Sequence, residues 1–220
     1  VLDGHSARGG FLPPVPLPRR MWAGSRFTFN RSLRIGSDVR RVARVIGVEA
    51  KHGRTGPLVF ITARFDMIDR DGVAQVEERD IVYREEKRAD DVEPPPPPAP
   101  KDAVWRRVVI PDPVQLFRYS ALTFNGHRIH YDPNFAVAQE GYPGIIVHGP
   151  LLATLLIDLL RRELPDAVLT SYQFRAVRPQ FAPRPITICG APSSDGRAVR
   201  LWAEDRDGGL AMEATARIAG

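Results

Sequence analysis

Asn125, His127, His130, Asp132 and His148 stand within one stretch of 24 residues, and theirs are the side chains whose types and spacing could do chemistry. An imidazole, with an unperturbed pKa near ~6.5, can accept and return a proton around neutral pH. An asparagine amide can orient water by hydrogen bonds but cannot take a proton. Each of these residues also has a structural reading. Asn125-Gly126 is a strong turn signal, His130 reads equally as a loop residue, and His148 could satisfy a helix-end carbonyl. The three histidines with Asp132 could together offer nitrogen and oxygen ligands to a metal. Their spacing matches no standard zinc motif and cysteine ligands are absent nearby, so no metal is expected.

These residues need elements to hold them. Asp112-Pro113 reads as a helix start, with aspartate capping exposed amides and proline in the first turn; Val114, Phe117 and Ala121 are expected to form its inner stripe. A second helix is expected from Gly149-Pro150 to about Leu164, ending before Pro165, and it is apolar nearly all round. A helix with so little polar face must be enclosed on most sides. A curved antiparallel sheet wrapped around it is one economical way, which gives an α+β class.

The run Glu93-Pro94-Pro95-Pro96-Pro97-Pro98-Ala99-Pro100 favours polyproline II and reads as a stiff, exposed linker. It divides the chain into residues 1–92 and 101–220. The halves share a pattern: Asp69-Arg70-Asp71-Gly72 recurs as Asp205-Arg206-Asp207-Gly208, each a hairpin turn between alternating strands. Residues 26–30 likewise correspond to 172–175. About 65 residues of the second half, including the long helix, have no counterpart before Arg26, so the first repeat reads as truncated.

The stretch Asn125-Gly126-His127-Arg128-Ile129-His130-Tyr131-Asp132, followed by Gly141-Tyr142-Pro143-Gly144-Ile145-Ile146-Val147-His148-Gly149-Pro150, resembles the signature of MaoC-like (R)-specific enoyl-CoA hydratases. The wording is similar to a double hot-dog subgroup that includes mesaconyl-CoA and itaconyl-CoA hydratases and type 2 hydroxyacyl-thioester dehydratases. Residues 9–22 look like the first half of that subgroup. The resemblance implies a hot-dog fold, a non-catalytic first half and a catalytic second half. It also implies reversible hydration of a 2-enoyl thioester. His130 falls on the family's catalytic histidine. Asn125 falls where the family has an aspartate, a departure that places more proton transfer on His130. The Gly149 amide is the implied oxyanion donor, because first-turn amides carry unpaired N–H groups and the helix dipole. Tyr119, His127, Tyr142, Gly144, His148 and Arg178 are the substrate-binding candidates, and Arg118, Arg175 and Arg184 are further partners for phosphate or carboxylate.

Composition bounds the rest. A chain of 220 residues that is 43% hydrophobic can bury a sizeable core. The net charge of +5 is spread among acids without a basic block, which speaks against nucleic acid. No apolar run reaches the roughly 20 residues of a membrane span. A single cysteine, Cys189, reads as a buried strand residue in a reducing, cytoplasmic setting. No signal peptide is visible, and no cofactor is expected beyond the coenzyme A of the substrate. The partners expected are an acyl-CoA or acyl-carrier thioester and a second copy in a homodimer. A hot-dog thioesterase and a non-catalytic acyl-binding module are the alternatives.

Overall fold

A computed structural model of the chain describes residues 9–53, 56–86 and 94–220. Residues 1–8, and Glu93 of the proline-rich run, lie outside them. The chain divides into two compact units, one built mainly from residues 95–167 and 176–214, the other from 8–94, 168–175 and 215–220.

In the second of these units five strands lie in the order β2 (Arg40–Gly53), β3 (Gly56–Asp69), β4 (Gly72–Arg84), β1 (Arg19–Phe29) and β6 (Leu169–Ala176). All the neighbouring pairs are antiparallel. The β3–β4 hairpin turns at the expected Asp69–Gly72 step, where Gly72 has φ 105°, a left-handed conformation that glycine adopts without a Cβ penalty. Alternation along β3 buries Ile61, Ala63 and Phe65 on one face. Val15, Leu17 and Tyr83 complete that core with Ile61, so the proline-rich entry segment serves as its cover.

The corresponding strands of the two halves, β1 and β6, pair with each other, with Phe27 opposite Tyr172 and Gly24 opposite Arg175. A Cβ on Gly24 would meet the Phe174 carbonyl oxygen at 2.3 Å, a backbone atom that cannot swing aside. Gly24→Ala is therefore expected to cost about 1–3 kcal/mol by forcing the two strands apart. A lowered urea midpoint at unchanged slope checks this.

In the other unit β7 (Ile186–Pro192) lies between β5 (Trp105–Val109) and β8 (Ala198–Glu204), and β9 (Leu210–Ile218), which belongs to this unit as far as Ala214, follows β8 across the second hairpin turn. Helix α2 (Gly149–Glu163) packs on β7, β8 and β5. It buries Leu151, Leu152, Ala153, Leu156, Leu159 and Leu160. Cys189 is buried on β7, as its apolar surroundings predict. No helix among the described residues is long and apolar enough to cross a membrane.

Three expectations change. Helix α1 (Pro113–Thr123) starts where predicted, with Asp112 accepting from the Gln115 N–H, but its inner residues are Leu116 and Ser120. Val114, Phe117 and Ala121 face outward, with Phe117 60% exposed. The helix carries two apolar-compatible faces, and packing selects the one whose serine finds a buried partner. The proline-rich run is not a fully exposed spacer either: Ala99 is buried, its N–H donates to Gly208 O, and Leu210 N–H donates to Pro97 O. Proline lacks a donor, yet its carbonyl still accepts. Finally, strands β2 and β5 lie in segments where no strand was expected from the sequence.

Candidate active site

The site is assembled from three pieces of one unit: the last turn of α1, the loop that follows it and the start of α2. Phe124 closes α1 in a left-handed conformation, φ 52°, which swings the chain into Asn125-Gly126. The Asn125 side-chain oxygen accepts from the His127 N–H at 3.1 Å, so the turn reading of Asn125 is realised in the backbone. A 3-10 turn over Arg128–His130 then carries His130 inward, and a π-helical turn, Phe135–Gln139, follows it.

His130 is only 8% exposed, and its Nδ1 lies 2.8 Å from Ile146 O. A carbonyl oxygen can only accept, so Nδ1 carries the proton and neutral His130 has its basic lone pair on Nε2. The same segment is tied a second time by Ile146 N–H to Ile129 O at 2.9 Å, and Val147 N–H donates to Gln180 O. Two hydrogen bonds thus fix where the imidazole lies.

His148 is fully buried at the entrance to α2 and caps no helix amide. Its ring stacks on that of His130, with centroids 3.7 Å apart and planes 17° apart. Its Nε2 lies 2.8 Å from Ser120 Oγ, so the helix-end-carbonyl reading gives way to a side-chain partner on α1. Burial, with His130 and His127 adding to it, pushes the His148 imidazole down from its ordinary 6.5 to about 3. It is neutral throughout the physiological range.

Tyr119 meets His148 edge-on at 4.9 Å and its hydroxyl bonds Thr154; burial raises its pKa. His127 stands edge-on to His130 at 5.8 Å. The structure therefore gathers Tyr119, His127, His130 and His148. It places Gly149 on the peptide that follows His148, where the first amides of a helix have no partner within the helix. Tyr142 packs on Phe181 beside Ile129 and Ile146, and Gly144 approaches Ala182 O, so both belong to the framework that backs His130. Arg178 is half-buried on the segment after β6, with its N–H bonded to Ala211 O. Of the other arginines, Arg118, Arg175 and Arg184 are exposed.

Asp132 does not join the imidazoles as a ligand. It caps the Phe135 N–H at 3.0 Å and binds Arg128 at 2.6 Å, and the two, the cap foremost, hold its carboxyl below the usual range. Among the described residues no three His, Cys, Asp or Glu side chains converge to hold a metal ion. Ser120 and Thr154 are the members of the cluster that residue-by-residue reading missed. Ser120 and His148 are 28 positions apart, and a lone serine in a helical stretch carries no local signal of its partner.

Asn125, Phe117, Ser120, Phe124 and Tyr131 line an open groove of about 310 Å³ beside α1. Asp158, on the far part of α2, is held by Arg107 at 2.6 Å and Arg162 at 2.8 Å, and the latter bond leads in keeping its carboxyl below the usual range.

The family model for hydroxyacyl-thioester dehydratase type 2 matches residues 2–182 of the chain. The chain is 43% identical over 218 residues to the mesaconyl-C(4)-CoA hydratase of Chloroflexus aurantiacus, covering 99% of this chain and 77% of that protein. It is 38% identical over 84 residues to the mitochondrial hydroxyacyl-thioester dehydratase type 2 of Schizosaccharomyces pombe, covering 37% of this chain and 28% of that protein. A MaoC-like dehydratase from Phytophthora capsici superposes with a TM-score of 0.72 at 15% identity, over 97% of this chain and 77% of that one. HtdX from Mycobacterium tuberculosis gives 0.68 at 21% identity, over 93% and 80%. These structural likenesses carry the fold alone, the hot-dog kind of antiparallel sheet with few helices.

Proposed function

The chain belongs to the hydroxyacyl-thioester dehydratase type 2 family, and from that premise we propose that His130 is its proton carrier and the Gly149 amide its oxyanion donor. The reaction is reversible addition of water to a 2-enoyl thioester, giving a 3-hydroxyacyl thioester. Water adds to the β-carbon as a proton reaches the α-carbon, and negative charge gathers on the thioester oxygen in between. His130 Nε2 accepts the proton of the attacking water and the imidazolium can return it. The Gly149 N–H, aided by the α2 dipole, receives the developing charge.

The observation that carries this reading is the His130 tautomer. The Nδ1–H bond to Ile146 O sets the basic lone pair of the neutral ring on Nε2, the nitrogen that takes the proton in this reading, while the stacked His148 leads directly to Gly149. Asn125 already gives its side-chain oxygen to the His127 N–H, which leaves its NH₂ to hold the oxygen of a water and supports His130 as the base. Tyr119, His127, Tyr142, Gly144 and His148 shape the pocket in this reading, and Arg178 is the candidate partner for phosphate or a substrate carboxylate.

The substrate we propose is a short, carboxylated enoyl-CoA of the mesaconyl type, acted on without metal or redox cofactor. Support comes from the identity to the C. aurantiacus enzyme over nearly the whole chain. Two hot-dog repeats are supported by the recurrent hairpins and the β1–β6 pairing, with no helix among the described residues before Pro94. We read the protein as a cytoplasmic homodimer, which light scattering would check. The thioesterase alternative is not favoured: it wants a free carboxylate on the central helix, and Asp158 is occupied by two arginines.

A screen of short, branched and carboxylated enoyl-CoAs, with chelator present, tests the assignment. Loss of enoyl absorbance with formation of the 3-hydroxyacyl-CoA is the expected result. Release of free CoA from saturated acyl-CoA, or binding without turnover, would replace it with the thioesterase or the binding module.

A further inference from the structure

We propose that Ser120 and His148 form a positioning pair that holds the His148 ring, in one tautomer, as a fixed plate against the ring of His130. This rests on the reading of His130 as the proton carrier. Ser120 is 6% exposed in the last full turn of α1, and His148 is fully buried at the start of α2, so their bond also ties the two helices together at the site. Tyr119 bounds the plate from the side, and its hydroxyl is anchored through Thr154, whose Oγ1 donates to Pro150 O at 2.8 Å. His130 covers one face at 3.7 Å.

The other ring nitrogen decides the tautomer. His148 Nδ1 is buried with no hydrogen-bond partner among the described residues. A buried N–H without an acceptor is rarer and costlier than a bare lone pair. Nε2 therefore carries the hydrogen and donates to Ser120 Oγ, and Nδ1 keeps its lone pair. Because this is the one hydrogen bond to the ring among the described residues, removing the hydroxyl frees it to rotate or change tautomer. The titratable groups bearing on His148 are His130 and His127 from the loop and Tyr119 from α1. A proton on His148 would place a second cation against His130 when the latter is charged, so fixing the plate uncharged lets His130 alone cycle between its two forms.

Ser120→Ala is expected to lower kcat roughly 10- to 100-fold while KM stays within about twofold, because the reacting geometry is disturbed and the substrate contacts are not. Ser120→Thr, which restores a hydroxyl, should recover most of the loss. Nitrogen-15 histidine NMR supplies a readout independent of turnover. In the wild type His148 should show a neutral Nε2–H tautomer between about pH 5 and 8, and in Ser120→Ala that single tautomer should be lost. If Ser120→Ala does not fold, His148→Gln replaces it: Gln retains a donor for Ser120 and should keep more activity than His148→Leu, which has none. Unchanged kcat in Ser120→Ala, equal activity of the Gln and Leu variants, or a wild-type His148 protonated on Nδ1 would overturn the pairing. A wild type that hydrates no enoyl-CoA would instead remove the functional reading, and the NMR tautomer would still decide the pair.

Discussion

His130→Ala should lower kcat for enoyl-CoA hydration by about 10²- to 10⁴-fold, the usual contribution of a positioned general acid or base. The substitution removes Nε2, the nitrogen whose lone pair takes the water's proton, and neither His148, Asn125 nor Asp132 can replace it. His148 is buried and held neutral with its pKa near 3, Asn125 cannot accept a proton, and Asp132 is engaged by Arg128 and the Phe135 amide. The fold should survive. The lost bond to Ile146 O leaves a carbonyl unpaired at a cost of roughly 1–3 kcal/mol, while the Ile146 N–H bond to Ile129 O keeps the loop in place. Circular dichroism and a thermal melt check the fold, and steady-state kinetics check the chemistry. Near wild-type turnover in a folded variant would refute the assignment of His130.

Local signals in the sequence account for what was legible. The cap at Asp112, the Gly149-Pro150 start, the stop before Pro165 and both Asp-Arg-Asp-Gly turns are set by neighbouring residues, and the structure has them as expected. What local reading cannot decide is which of two competent faces meets the core. Helix α1 illustrates this: Val114, Phe117 and Ala121 form a good apolar stripe, but Leu116 and Ser120 are the buried pair. Strand β2 was missed for a related reason, since its residues are exposed on both faces and show no burial alternation to read.

The candidate site divides in the same way. His130, His148 and Gly149 were visible because a motif places them at fixed spacing. Their mutual geometry was not visible, since the 3.7 Å stack joins residues 18 positions apart through two backbone ties at Ile146. Ser120 stayed hidden because its meaning is its partner. Asn125 also changed in weight: the same side chain serves both as a turn former and as a candidate water ligand, and the structure commits its oxygen to the turn.

A second large effect should appear in stability rather than rate. His148 has its folded pKa depressed from 6.5 to about 3. Above about pH 6.5 neither the folded nor the unfolded chain binds this proton, and the residue leaves stability independent of pH. Below that, the unfolded chain takes the proton and the folded chain does not, so stability falls as pH falls. The slope is about 1.4 kcal/mol per pH unit, with a ceiling of roughly 5 kcal/mol by pH 3, a large share of the 5–15 kcal/mol typical of a domain. Carboxyls held below their usual range, such as Asp132 and Asp158, act in the same direction but only once the pH drops through about 4. The window between about pH 6.5 and 4.5 therefore leaves out the carboxyls, and the difference between wild type and His148→Gln within it separates His148 from the other histidines. Urea unfolding of wild type and His148→Gln across that window should give a steep line for the first and a flatter one for the second. Parallel lines would mean that the buried ring accepts a proton in the folded protein after all, and that His130 has a charged rather than a neutral plate against it.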